Sequence, residues 1–173
     1  YVTPSTLPKV VQRNVVIEIE RAAQAIGLRH GPVHAEARIR AGQPFVIEIA
    51  PRTIGGRCSR LFGEPAGDSL EQLVLRSAVG HHPSELPEPT PSGVMMIPIP
   101  GEGLLQGVLG LEQARQVTGV TGIEISIPLG DTVVPLPEGD RYLGFIFAHA
   151  ATVEEVRCAL ERSHEALSFD ISP

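Results

Sequence analysis

The chain has 173 residues, enough for one domain or two small lobes with a buried core. Apolar residues make up 42% and charged residues 20%, a globular composition and not a disordered one. Fourteen basic residues against twenty acidic leave a net charge of −6, and aromatic residues are 4% with no Trp, which argues against broad binding to nucleic acid or anionic lipid.

Eighteen glycines and sixteen prolines predict short elements and many defined turns. Cys58 and Cys158 are too few for a disulfide scaffold or a zinc site, so free thiols in a reducing cytosol are expected. The longest apolar run, Gly93–Leu111, is broken by Pro98, Pro100 and Glu102 and is no membrane span. No signal peptide is visible. The chain opens at Tyr1 instead of Met and reads as a piece of something longer.

Two lobes are expected, Tyr1–Gly80 and Gly93–Pro173, joined by a proline-rich linker, His81–Ser92. In the first, Ser5 or Thr6 caps a helix with Pro8 in its first turn, and Val11, Val15, Ile19, Ala22 and Ile26 recur at helical spacing up to Gly27. Strands Val33–Arg40 and Pro44–Ala50 follow, then an arginine- and glycine-rich stretch, Pro51–Asp68. A second helix starts at Ser69, with Gln72 as its capping-box partner, and ends at Gly80. The second lobe reads as strands Val94–Ile99, Gly122–Ile127, Val133–Leu136 and Leu143–His149, with a short helix at Leu111–Val117. A capped helix, Thr152–Leu167, and an edge strand, Ser168–Ile171, close it. Strands with a helix on one side give an α+β class.

The hairpin concentrates the chemistry. With Ala41-Gly42-Gln43 as a three-residue loop, Arg40 pairs with Pro44 and Glu36 faces Glu48. Val33, Ala35, Ala37, Ile39, Phe45, Ile47 and Ile49 then form an apolar core face, and His34, Glu36, Arg38, Arg40, Val46, Glu48 and Ala50 form the other. Two facing glutamates repel unless a cation lies between them, and magnesium suits one or two carboxylates completed by phosphate and water. Arg52, Gly55, Gly56, Arg57 and Arg60 follow, the equipment for phosphate or carboxylate oxygens. The same alternation is what any half-exposed hairpin shows; Arg38 and Arg40 neutralise the glutamates without a metal in that reading, and a one-residue slip would separate the pair.

Gly31-Pro32-Val33-His34-Ala35-Glu36, Val46-Ile47-Glu48-Ile49-Ala50-Pro51-Arg52 and Ile54-Gly55-Gly56 together resemble the C-terminal part of an ATP-grasp ligase, in the L-amino acid ligase and biotin-carboxylase-like branch. Arg57-Cys58-Ser59-Arg60 and the helix from Ser69 continue the likeness, and the second lobe is similar to the small C-terminal domain of such ligases. The resemblance implies the C-terminal half of an ATP-grasp fold, an antiparallel sheet with flanking helices, followed by a small α+β domain. It implies an enzyme that phosphorylates a small carboxylate or amino acid with ATP and passes the acyl group to an amine. Glu36 and Glu48 would hold Mg2+ or Mn2+, Arg52 would be catalytic on the transferred phosphoryl group, and Gly55, Gly56, Arg57 and His34 would contact substrate or phosphate. Many members carry Asn two residues after the second Glu; here Ala50 stands there, which by the resemblance leaves one metal site weaker or completed by water. The lysines of the family's nucleotide pocket come from a preceding lobe, and Lys9 is the sole Lys of this chain, so the 173 residues alone are expected to be inactive.

The remaining residues read blandly. His34 is a polar neighbour of the site and not a base. His81 and His82 form a cap or a solvated pair. Cys58 is a buried thiol, and Cys158 packs beside the apolar face of the last helix. The rival reading is a stand-alone small-molecule binding or oligomerisation module, with exposed strand edges that allow a homodimer.

Overall fold

The computed structural model describes residues 1–62, 68–81 and 90–173. Most of the expected proline linker, with His82, Pro83, Pro87 and Pro89, lies outside them. Two compact units result, Ser5–Glu88 and a second made of Tyr1–Pro4 with Pro89–Pro173. The opening residues thus belong with the second unit: β1 (Val2–Thr3) pairs antiparallel with β4 (Ser92–Ile97), and the Val94 amide donates to the Tyr1 carbonyl at 2.9 Å.

In the Ser5–Glu88 unit, α1 spans Lys9–Ala25. Neither Ser5 nor Thr6 caps it; Pro8 is itself the N-cap, since its fixed φ and missing N–H suit a helix start, and no side chain caps there. Instead the Gln12 side-chain amide reaches back to the carbonyls of Leu7 (2.7 Å) and Ser5 (3.1 Å). Val11, Val15, Ile19 and Ala22 are the inward stripe, whereas Ile26 falls at the C-cap and is exposed. The helix packs on the hairpin of β2 (His34–Arg40) and β3 (Gln43–Ala50). A 3-10 turn, Cys58–Leu61, follows. α2 (Leu70–Ala78) has the expected capping box, in which the Ser69 Oγ accepts from the Gln72 amide at 3.2 Å and the Gln72 side chain accepts from the Ser69 amide at 2.8 Å. Ser69→Ala is expected to lower the stability of this unit by about 1 kcal/mol, measured by urea unfolding.

The other unit holds the main core. A four-stranded antiparallel sheet runs β1-β4-β8-β6, with β6 at Val120–Ile125 and β8 at Gly144–His149. A three-stranded sheet runs β7-β5-β9, from Thr132–Val133, Gly103–Leu109 and Ser168–Ser172. α3 (Leu111–Arg115) and α4 (Val153–Glu165) complete it, and Thr152 with Glu155 forms the expected capping box. Ile97, Leu105, Val133, Leu143, Ile146 and Val156 are sealed from solvent between the sheets and α4. The Ser163 hydroxyl, fully buried, donates to the Ala114 carbonyl at 3.1 Å and ties α4 to α3.

Three readings of this unit change. β5 was hidden in the apolar run. It carries a bulge between Leu105 and Gly107 against β9, so its inward residues switch parity and no clean alternation marks it. The strand expected at Val133–Leu136 is two residues long, and Leu136 is exposed before Pro137, which has no N–H to donate. Cys158 does not pack; it is exposed, because Val156, Ala159 and Leu160 already fill the inner face of α4. Cys58 is 3% exposed, and burial pushes its thiol above the usual range. A maleimide at pH 7 is therefore expected to label Cys158 in the folded protein and Cys58 only after unfolding, as read by peptide mass mapping. Raising the pH is expected to leave Cys58 unlabelled beyond the point where Cys158 reacts fully.

Candidate metal- and phosphate-binding face

The hairpin reaches the expected carboxylate pair by an unexpected route. The loop has two residues, Ala41 (φ 49) and Gly42 (φ 76), both left-handed, so that Arg40 pairs with Gln43, Ile39 with Pro44 and Arg38 with Phe45. A two-residue loop on a regular ladder would set Glu36 against Ile47. A bulge between Glu36 and Ala37 takes up that residue, and Glu36 pairs with Glu48, Ala35 with Ile49 and His34 with Ala50.

The two errors in the sequence reading, loop length and ladder regularity, cancel at the glutamates but not elsewhere. Residues directly opposite share a face. Val46, expected among the polar residues, lies with Ala37 on the side packed against α1. Phe45, expected in the core, stands opposite Arg38 on the glutamate side and is 56% exposed; Ile47, the extra residue of the bulge, is 58% exposed. Sequence reasoning missed both as apolar neighbours of the acidic pair. The signal that would have found them is Ala41-Gly42, a pair able to make the two-residue turn.

Each carboxylate has a nitrogen-bearing neighbour. Glu36 Oε1 lies 3.6 Å from His34 Nε2, and Glu48 Oε1 lies 3.7 Å from Arg52 Nη2. Arg52 also donates through Nη1 to the Thr53 carbonyl at 3.0 Å. The glutamates and Arg52 are about half exposed, so these pairs are screened by water and contribute little to stability; His34 is the most covered of the group, its side chain 15% exposed. Among the described residues no three His, Cys, Asp or Glu side chains converge on one ion-sized point. Glu36 lies beside His34 and Glu48 beside Arg52.

Gly55, Gly56 and Arg57 lie in the loop just beyond Arg52. Gly56 (φ 62) and Arg57 (φ 61) are consecutive left-handed residues, and the Cys58 amide closes the turn onto the Gly55 carbonyl at 3.1 Å. A Cβ at Gly55 would meet nothing within 4 Å, so the backbone there is open to approach. A cavity of about 940 Å3 in the same unit, lined by Ala23, Leu28, Arg29, His30, Val33 and Leu73 among others, includes none of the candidate site residues. The chemistry-bearing face is an open one.

Two carboxylates registered across a ladder, with a guanidinium beside one of them, are donors of the kind that hard cations and phosphate oxygens take. No described helix is long and apolar enough to cross a membrane.

The family described as ATP-grasp domain matches residues 1–60, and the family described as L-amino acid ligase C-terminal domain 2 matches residues 95–172. No curated protein matches the chain. Among solved structures, L-amino acid ligase from Bacillus licheniformis superposes with a TM-score of 0.86 at 28% identity, covering 100% of this chain and 44% of that one. Phosphoribosylglycinamide synthetase from Anaerococcus prevotii gives 0.78 at 15% identity, covering 99% and 44%, and N5-carboxyaminoimidazole ribonucleotide synthetase from Thermotoga maritima gives 0.72 at 16%, covering 99% and 45%. The last two speak for the fold alone. The chain spans less than half the length of each of these three proteins.

Proposed function

From a chain that belongs to the ATP-grasp ligases, in the L-amino acid ligase branch, we propose that these residues serve an ATP-dependent carboxylate–amine ligase working through an acylphosphate. The observation that carries this is the Glu36–Glu48 pair, kept in register by a bulge, with Arg52 at 3.7 Å from Glu48.

In this reading Glu36 and Glu48 hold Mg2+ or Mn2+, which when bound draws charge from the ATP phosphates. Arg52 leaves Glu48 for the phosphoryl oxygens, a move that its half-exposed side chain allows. Guanidinium forks suit three oxygens bearing spread charge. Gly55 and Gly56 present backbone to the substrate carboxylate, and Arg57 adds a cation there. A carboxylate oxygen of the first substrate attacks the γ-phosphorus and ADP leaves. The amine of the second substrate then attacks the acyl carbon, the C–O bond to phosphate breaks, and the amine loses a proton as the amide forms. Phe45 and Ile47, exposed beside the glutamates, give the face an apolar margin. The partners of this reading are ATP, a small carboxylate or amino acid, an amine, and an N-terminal ATP-grasp lobe; its setting is the cytosol, which suits the free thiols of Cys58 and Cys158.

The test is isotopic. The full natural protein is incubated with ATP, an amine and a panel of amino acids labelled with 18O in the carboxylate. An acylphosphate path places one labelled oxygen in the released phosphate. Amide formation that leaves the phosphate unlabelled would refute the mechanism. The 173 residues by themselves, with Lys9 as their sole Lys, are expected to show no substrate-dependent ATP turnover in the same assay.

A further inference from the structure

We infer that the unit made of Tyr1–Pro4 and Pro89–Pro173 carries a slot for a short peptide with both ends free, held between Glu155 and Arg162 of α4. The slot is a cavity of about 410 Å3 bounded by α4, the turn before β6 and the chain around the end of β8. This stands independently of the metal reading of the hairpin, none of whose residues lines the cavity.

The walls are small. Gly119, Ala150, Ala151 and Ala159 line the cavity, and a Cβ at Gly119 would come within 3.2 Å of the Ala159 Cβ. Such walls suit extended backbone with short side chains. The charges come from α4, where Glu155, Cys158, Ala159 and Arg162 follow at the spacing of one helix face. Seven residues set Glu155 and Arg162 about 10 Å apart along the axis. Among the described residues no carboxylate meets the Arg162 guanidinium, and Glu155 gives Oε2 to the Thr152 amide at 3.0 Å, which leaves Oε1. A single amino acid bears its ammonium and carboxylate on one carbon and cannot serve both side chains. An extended dipeptide sets its ends roughly 7 Å apart, and an ion-pair contact of about 3 Å at either end carries it across. His149, also on the lining, is an independent observation. Its amide donates to the Gly119 carbonyl at 2.8 Å, while its Nδ1 is buried and has no hydrogen-bond partner among the described residues. A nitrogen so placed is costly to leave unpaired, and a peptide group in the slot supplies a partner once the ring turns to it.

Cys158 reports occupancy, because its exposed thiol lines the slot. The full natural protein is labelled with a maleimide at rising concentrations of L-Ala-L-Ala, and Cys158 is followed by peptide mass mapping. The expected result is a saturable slowing, about fivefold once the peptide exceeds its Kd severalfold. L-Alanine, N-acetyl-L-Ala-L-Ala and L-Ala-L-Ala amide, which lack the span or one of the charges, are expected to protect far less. Arg162→Gln is expected to weaken protection about fivefold. His149→Phe keeps a ring and removes the nitrogen; it is expected to weaken protection without lowering the thermal unfolding midpoint. Equal protection by L-alanine, unchanged protection in Arg162→Gln, or none at millimolar peptide overturns the inference. A Cys158 that does not label without peptide means that the slot is covered, and overturns it too.

Discussion

Glu48→Gln in the full natural protein is expected to lower ATP-dependent ligation at least 100-fold while leaving the thermal unfolding midpoint within a degree or two. The substitution keeps the size of a half-exposed side chain and removes one charge, so the fold has little to lose. In the proposed mechanism the metal then has one carboxylate ligand in place of two, and electrostatic stabilisation of a transferring phosphoryl group is commonly worth two to three orders of magnitude. Glu36→Gln is expected to behave alike. Arg38→Gln, on the same face and opposite Phe45, is expected to cost less than tenfold, because the proposed mechanism gives Arg38 no part. Equal losses from all three changes would mean that general charge on the hairpin matters and the registered pair does not.

The second large effect falls on stability. Ile146→Ala is expected to destabilise the Pro89–Pro173 unit by about 2–5 kcal/mol and to lower its midpoint by on the order of 10 °C or more, measured by calorimetry. Ile146 lies at the middle of β8, paired with Met95 of β4 on one side and Ile123 of β6 on the other, and is fully buried. Gly144→Ala is expected to do comparable damage by the opposite means. A Cβ there would sit 2.0 Å from the Glu124 carbonyl oxygen, and a backbone atom in a central ladder cannot step aside as a side-chain end can. Leu109→Ala, on an exposed residue of β5, is the contrasting case and is expected to change stability by less than 1 kcal/mol.

The contrast between the two units explains what the sequence could disclose. Helices with strong local signals were legible: Ser69 with Gln72 and Thr152 with Glu155 are capping boxes in the chain and in the fold, because the bonds join residues three apart. The carboxylate pair was legible because the identities of its members and their distance from the turn left few registers. The irregular elements were not. The bulge in β3 and the bulge in β5 each break the two-residue period by which a strand announces itself, and each is settled by its partner strand, β2 in one case and β9 in the other. That is why two-residue alternation puts Phe45 and Val46 on the wrong faces and leaves β5 unmarked. Tyr1–Pro4 was misassigned for a related cause, since its pairing with β4 joins residues about ninety apart. Cys158 is exposed beside the stripe because an apolar stripe tells which side of a helix faces inward but not how far round that side extends.

The metal reading of Glu36 and Glu48 is tested most directly by titrating the full natural protein with ADP in a calorimeter, with Mg2+ and then with EDTA, beside the Glu36→Gln/Glu48→Gln double variant. The expected result is ADP binding that needs Mg2+ and weakens at least tenfold in the double variant, which stays folded. Equal binding in EDTA, or an unaltered affinity for Mg2+ and ADP in the double variant, would contradict it.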